Sequence, residues 1–339
     1  MKKPNIFRKL ALLIIISLFA TTILYFGGVF SSGVTAQRFV NLQQGGNPHP
    51  TFRRAHAKGI CIAGSFESNG ALASYSQAQI FNLGSTPLLG RFSVAGNNPT
   101  APDLKSPVRS LAFSLTANAN QEWRVAMNTP PVMAVATPTA FFEQLQALSP
   151  DPVTKKRSPE KIKAFFDAHP ESAAFNKWKA SYVPTHSFAT ETYNSINAFY
   201  LVDEQGKKRA VRWIAKPQST AKSSAQIDLD SNDALQQQLS DELAIGPIKF
   251  DLIFTFADAS DDENNPTILW PESRKSINAG TVAITRFQAQ EGGQCANMNF
   301  DPLVLPTGIE PTADPILRAR ASSYAESFRR RAKEVLLNN

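Results

Sequence analysis

The amino-acid sequence predicts an α+β protein in which an antiparallel β-barrel is surrounded by helices. Two observations predict it. Stretches that alternate apolar and polar residues dominate the middle of the 339-residue chain, as strands with one solvated face do. No strand–helix–strand alternation of the kind that builds parallel sheets appears, so the strands must pair with their neighbours and close.

Taken in order, residues 1–9 hold Lys2, Lys3, Arg8 and Lys9, and residues 10–30 carry no charge. About 21 residues at 1.5 Å each span a hydrocarbon core. The stretch therefore reads as a transmembrane anchor, or as the apolar region of a signal sequence with a cleavage site at Val34, Thr35 and Ala36. Positive charge before it keeps the N-terminus inside. The expected location is the bacterial inner membrane, single-pass with the folded domain in the periplasm, or a cleaved periplasmic form. Residues 31–50 read as a linker holding a short amphipathic helix at 37–44, and residues 51–339 as the folded domain.

Within that domain, strands are expected in the later part of 52–66 and at 87–96, 110–117, 122–127, 248–257 and 280–287. A hairpin is expected at 198–215, turning at Glu204, Gln205 and Gly206. Helices are expected at 75–81, 139–148, 159–181 and 234–244, with polar loops at 216–231 and 258–266. The last helix should open at Asp314, a capping carboxylate, followed by Pro315, whose ring already holds the first helical φ.

Composition excludes several classes. The net charge is +7, but four of the basic residues lie before residue 10, leaving 31 basic against 28 acidic. No basic stripe with interleaved aromatics remains, so nucleic acid is not an expected partner. The four histidines form no metal-binding spacing. Cys61 lies in the apolar run 59–63 and reads as a core residue, with pairing to Cys295 left open.

Chemistry is suggested near the C-terminus. Arg320 and Tyr324 are four residues apart on the expected helix, one turn apart on one face. A fixed cation there favours the phenolate, a good ligand for ferric iron. The run from Phe300 to Pro311 (Phe-Asp-Pro-Leu-Val-Leu-Pro-Thr-Gly-Ile-Glu-Pro), followed by Arg320-x-x-x-Tyr324, resembles the proximal haem segment of the haem catalases. The resemblance covers about residues 50–335 and is strongest toward the small catalase-related peroxidases. It implies a catalase-like barrel around ferric haem b, with Tyr324 as the axial iron ligand, Arg320 stabilising its phenolate, and Arg331 pairing with a haem propionate.

Three further stretches carry the same likeness. Arg53-Arg-Ala-His56 resembles the distal-histidine motif, with His56 as the peroxide base and Arg53 on a propionate. Arg91-Phe-Ser93-x-x-Gly96 resembles the strand whose serine supports that histidine and whose arginine contacts a propionate. Trp123-Arg-Val-Ala-Met-Asn128 places Asn128 as the amide that holds peroxide, and Phe141 falls where an aromatic lines the distal pocket. Two positions depart from the pattern: Ala55 stands where the family has valine, and Met133 where it has phenylalanine. Both leave more room. The chain stops 15 residues after Tyr324 (339 − 324), so the family's long C-terminal segments are not expected.

The resemblance implies a haem peroxidase that reduces hydrogen peroxide and organic hydroperoxides with an external electron donor and has weak catalase activity. The alternatives are an enzyme that rearranges hydroperoxides and a haem-binding protein without turnover. A monomer and a dimer are both compatible with the sequence.

Overall fold

Strand pairing encloses the apolar half of the alternating pattern. The computed structural model describes residues 13–15, 17, 33–219, 227–228 and 230–338. Its strands are β1 (Gly59–Ser68), β2 (Gly84–Val94), β3 (Arg109–Thr116), β4 (Glu122–Asn128), β5 (Tyr193–Asn194), β6 (Phe199–Val202), β7 (Lys208–Pro217), β8 (Ile248–Phe256), β9 (Ser276–Ala289) and β10 (Ile309–Pro311). They form one sheet in the order β10-β6-β7-β5-β4-β3-β2-β1-β9-β8, and β8 pairs back onto β7. Eight strands thus close into an antiparallel barrel, as expected, and β6 and β10 extend from β7.

The seams are unequal. β1 and β2 pair along their length, from Gly59↔Ser93 to Ser68↔Gly84. β4 and β5 meet at one pair, Asn128↔Asn194, and the Asn194 amide reinforces it by donating to Thr129 O at 2.8 Å.

Period-two alternation divides each strand into an inner and an outer set. The inner set packs aromatics: Phe92, Phe113, Trp123, Trp213, Phe250 and Phe254 are all buried in one cluster. Trp123 lies 5.1 Å from Trp213 and 5.8 Å from Phe81, edge to face, the offset geometry that ring quadrupoles favour. The barrel is therefore a filled core, and the site has to lie outside it.

The helices are α1 (Ala36–Gln44), α2 (Pro138–Leu148), α3 (Pro159–Ala168), α4 (Ala173–Ser181), α5 (Ala234–Ile245) and α6 (Pro315–Asn338). α6 opens as expected: buried Asp314 accepts from Ile316 N at 2.8 Å. The helix expected over 159–181 is divided at His169 and Pro170, because proline lacks the donor a continuous helix needs. The helix expected at 75–81 is reduced to a single tight turn at Gln79–Phe81. The chain there instead bonds outward, Gln77 N to Val202 O and Ser76 Oγ to Gly308 O.

Two further expectations are corrected. Cys61 and Cys295 form a disulfide with a Cα separation of 5.4 Å. Ile60 and Ile62 enter the barrel core while Cys61, between them, faces outward. A strand covered on both faces reads as continuously apolar, which hid that alternation. The inner-membrane, single-pass location with a periplasmic domain is overturned: among the described residues no helix is long and apolar enough to cross a membrane. The segment that prompted it lies almost wholly outside the described residues. Residues 13–15 and 17 supply four helical positions, against the ~20 a span needs.

Candidate active site

The outer face of the barrel wall carries the site. Across neighbouring strands the register aligns Gly59↔Ser93, Ser93↔Ser110 and Ser110↔Asn128, and two residues along it aligns Cys61↔Arg91, Arg91↔Ala112 and Ala112↔Ala126. These two rows form the floor of a cavity. Arg320, Tyr324 and Arg331 project into it from α6, whose spacing of four and seven residues puts them on one face. His56 enters from the loop before β1 and Phe141 from α2. All nine residues singled out in the sequence, namely Arg53, His56, Arg91, Ser93, Asn128, Phe141, Arg320, Tyr324 and Arg331, line this one cavity.

His56 holds a left-handed backbone, φ 53°. Few non-glycine residues adopt it, and those that do often mark functional sites. Its carbonyl accepts from Arg91 Nη2 at 2.7 Å. That guanidinium reaches the carbonyl across Gly59, where a Cβ would lie 2.5 Å from the guanidinium carbon. Burial, then the positive charges of Arg91, Arg320 and Arg53, lower the His56 pKa to about 4, so the imidazole is neutral at ordinary pH.

The hydroxyl that meets the imidazole belongs to Ser110. Its Oγ lies 3.1 Å from His56 Nδ1 and donates to Asn128 Oδ1. With its proton given to Asn128, Oγ accepts from Nδ1–H, which leaves the lone pair of the ring on Nε2. Ser93, the expected partner, is buried beside it on the adjacent strand. Sequence reasoning passed over Ser110 because a polar residue on an alternating strand reads as solvent-facing.

The proximal side is tied together through Asn197. Arg320 donates to Asn197 Oδ1 and, at 2.9 Å, to Ala126 O, while Asn197 Nδ2 donates to the capping carboxylate of Asp314 at 2.6 Å. Both ends of the Arg320 guanidinium are thus engaged, one turn of α6 before Tyr324. Asn197 is aimed by a tight turn in which its N–H donates to Ser195 O at 2.8 Å around Ile196, φ 66°. A β-branched residue in that region is strained, and Ile196 lines the cavity too.

Three cations, Arg53, Arg91 and Arg331, converge on a cavity whose lining, among the described residues, holds no carboxylate. Arg53 donates to the carbonyls of Cys295 and Met298, Arg91 to Gln290 Oε1 as well as to His56 and Ala57, and Arg331 to Ala296. Burial lowers all three pKa values, and mutual repulsion adds to it for Arg53 and Arg91, leaving Arg91 at about 9 and Arg331 at about 10. Arg91 and Arg331 stay charged at neutral pH, and Arg331 Nε has no hydrogen-bond partner among the described residues. Such a cluster suits an anionic ligand.

α1 completes the enclosure. Phe39 and Gln43 line the cavity, and the Phe39 ring lies 5.3 Å from that of Phe141. The helix was legible in sequence, but its contact with the site was not.

The closed barrel thus carries a histidine, an asparagine, a helix tyrosine and buried arginines around one cavity on its outer face. The family model for catalase matches residues 50–336; the chain belongs to the catalase family. The catalase-related peroxidase of Synechococcus elongatus is 36% identical over 314 residues, covering 90% of this chain and 91% of that protein. The catalase-related peroxidase of Mycolicibacterium paratuberculosis is 29% identical, covering 89% and 96%. Pig (Sus scrofa) catalase is 26% identical over 82% of this chain and 56% of its own length. The structure of a bacterial catalase superposes with a TM-score of 0.71 at 20% identity, covering 84% of this chain and 58% of that one, which establishes the shared fold.

Family membership implies haem, and the cavity suits it: three arginines for two carboxylates, a tyrosine for the iron, apolar walls from Phe39, Phe141 and Phe300, and Ala112 and Ala126 keeping the floor shallow.

Proposed function

We propose that this protein is a haem-dependent peroxidase that reduces hydrogen peroxide and organic hydroperoxides with electrons from an external donor, and disproportionates hydrogen peroxide only weakly. The observation that supports it most is the His56–Ser110–Asn128 chain at the cavity floor, facing Tyr324 on α6.

Ferric haem b would supply the redox chemistry for cleaving the O–O bond. Tyr324 Oη would ligate its iron, and Arg53, Arg91 and Arg331 would hold its propionates. The distal residues handle the proton. Ser110 Oγ accepts from Nδ1–H, so His56 Nε2 takes the proton of the near peroxide oxygen and returns it to the far one, which leaves as water from hydrogen peroxide or as an alcohol from an organic hydroperoxide. Ser110 also occupies Asn128 Oδ1, so the Asn128 amide N–H groups are turned to the substrate. Ser93 fills the neighbouring register position. Ala55 and Met133 in place of bulkier groups leave room beside His56 for an organic substituent.

The test is an absorption spectrum of the full chain and of Tyr324→Phe, followed by hydroperoxide. A high-spin ferric spectrum that shifts with hydroperoxide and is lost in Tyr324→Phe is expected. An unchanged spectrum in that variant would sink the ligand assignment, and rapid oxygen release from hydrogen peroxide would reverse the order of peroxidase over catalase.

A further inference from the structure

Three of the four cavity arginines, Arg53, Arg91 and Arg331, rest on one loop. Between the end of β9 and Phe300, residues 290–300 present Gln290 Oε1 to Arg91 at 2.6 Å, the Cys295 and Met298 carbonyls to Arg53 at 3.1 and 2.8 Å, and the Ala296 carbonyl to Arg331 at 2.7 Å. Gln290 Nε2 also donates to Ala57 O at 3.0 Å, one residue from His56. Phe300 closes the loop, its ring 5.8 Å from the Arg53 guanidinium, in one cluster with the two cysteines, Met298 and Tyr324. The loop has no strand partner of its own, so its position depends on what fastens it.

The covalent fastening is the Cys61–Cys295 bond, beside which Arg124 Nη1 donates to Asn299 O at 2.7 Å near the loop's end. Cys61 is paired in register with Arg91, and the disulfide therefore ties the middle of the loop to the strand row that forms the cavity floor. Its packing is specific: Cys295 N donates to Cys61 Sγ at 3.2 Å, and a Cβ on Gly293 would lie 2.8 Å from that sulfur. Both cysteines are buried.

We propose that the Cys61–Cys295 disulfide is a clamp for haem retention: it holds the 290–300 loop so that its carbonyls aim Arg53 and Arg331 at the propionates, and Gln290 aims Arg91. This rests on the haem reading above. Reduction by a dithiol breaks the S–S bond, leaves two thiols and oxidises the dithiol to its cyclic disulfide. The freed carbonyls then no longer orient the guanidinium groups, and the propionates lose charge-assisted hydrogen bonds.

The experiment uses the full-length holoprotein, intact, after reduction with dithiothreitol, and as the Cys61→Ala/Cys295→Ala variant. Haem transfer to apomyoglobin is followed in the Soret band, and amide exchange is followed by mass spectrometry. Transfer about tenfold faster or more is expected without the bond, the factor one charge-assisted hydrogen bond is worth. Accelerated exchange should be confined to residues 290–300. Unchanged transfer overturns the clamp, and so does exchange that rises equally throughout the barrel, since the bond is then a general staple. A wild-type protein that takes up no haem ends the cofactor reading instead, and loop exchange alone then decides whether the disulfide holds the arginines' carbonyl partners.

Discussion

The two faces of β2, β3 and β4 are one residue apart in sequence and opposite in physics. Inward, Phe92, Phe113 and Trp123 are buried among other aromatics and do no chemistry. Outward, Arg91, Ser110 and Asn128 line the cavity, with guanidinium charge and hydroxyl groups taken from water. The inner face supplies the free energy of folding, and the outer face spends part of it on buried cations and left-handed turns. Substitutions should therefore separate cleanly, with stability falling on one side and catalysis on the other.

The largest effect is expected for His56→Ala, which should lower kcat/KM for hydroperoxide by about 10²–10⁴-fold without lowering thermal stability, since it removes a desolvated ring. A calorimetric loss equal to that of a core variant would erase the contrast between the faces. Trp123→Ala should do the reverse, costing about 3–5 kcal/mol in urea unfolding while leaving the Soret maximum of the folded fraction unchanged.

Ser110→Ala sharpens the comparison, because a small polar group is removed from a well-packed wall. It should lower kcat about tenfold, in line with a net hydrogen-bond contribution near 1 kcal/mol, with KM little changed. Ser110→Thr, which keeps the hydroxyl, should recover most of the rate; failure of the threonine to do so would show that packing rather than the hydroxyl matters.

The smallest effect concerns pH. His56 acts as a base only when neutral, and its pKa is about 4. The acid limb of kcat/KM should therefore fall near pH 4, well below the 6.5 of a free imidazole, with activity lost as pH falls through that value. Stability moves in the same direction. Between pH 6.5 and 4 the unfolded chain takes up a proton that folded His56 refuses, so acidification destabilises the fold over that window. An acid limb at 6–7 would mean that bound haem or water restores the solvation of the ring.

Much of this was legible in the chain because the motifs are local. Asp314 and Pro315 announce a helix start, Arg320, Tyr324 and Arg331 share a helix face, and Arg91 and Ser93 share a strand face. What was hidden depends on neighbours far along the chain. Ser110 matters through its register with Asn128, Cys61 through a partner 234 residues away, and Asn197 through a turn that strains Ile196. The misread helix at 75–81 failed for a related reason: its backbone groups found better partners at Val202 and Gly308 than in one another.

α1 has a practical bearing on how the protein is handled. Val40 is fully buried, Arg38 sits 5.5 Å from the Phe142 ring, and Arg330 reaches back to Gln44. A recombinant fragment begun at residue 50, where the family match starts, would strip the aromatic lid from Phe141 and open the cavity to solvent. Such a fragment would hold haem more loosely and stick to surfaces and to itself. A fragment begun at Thr35, whose side chain caps the helix through Arg38 N, keeps the enclosure whole.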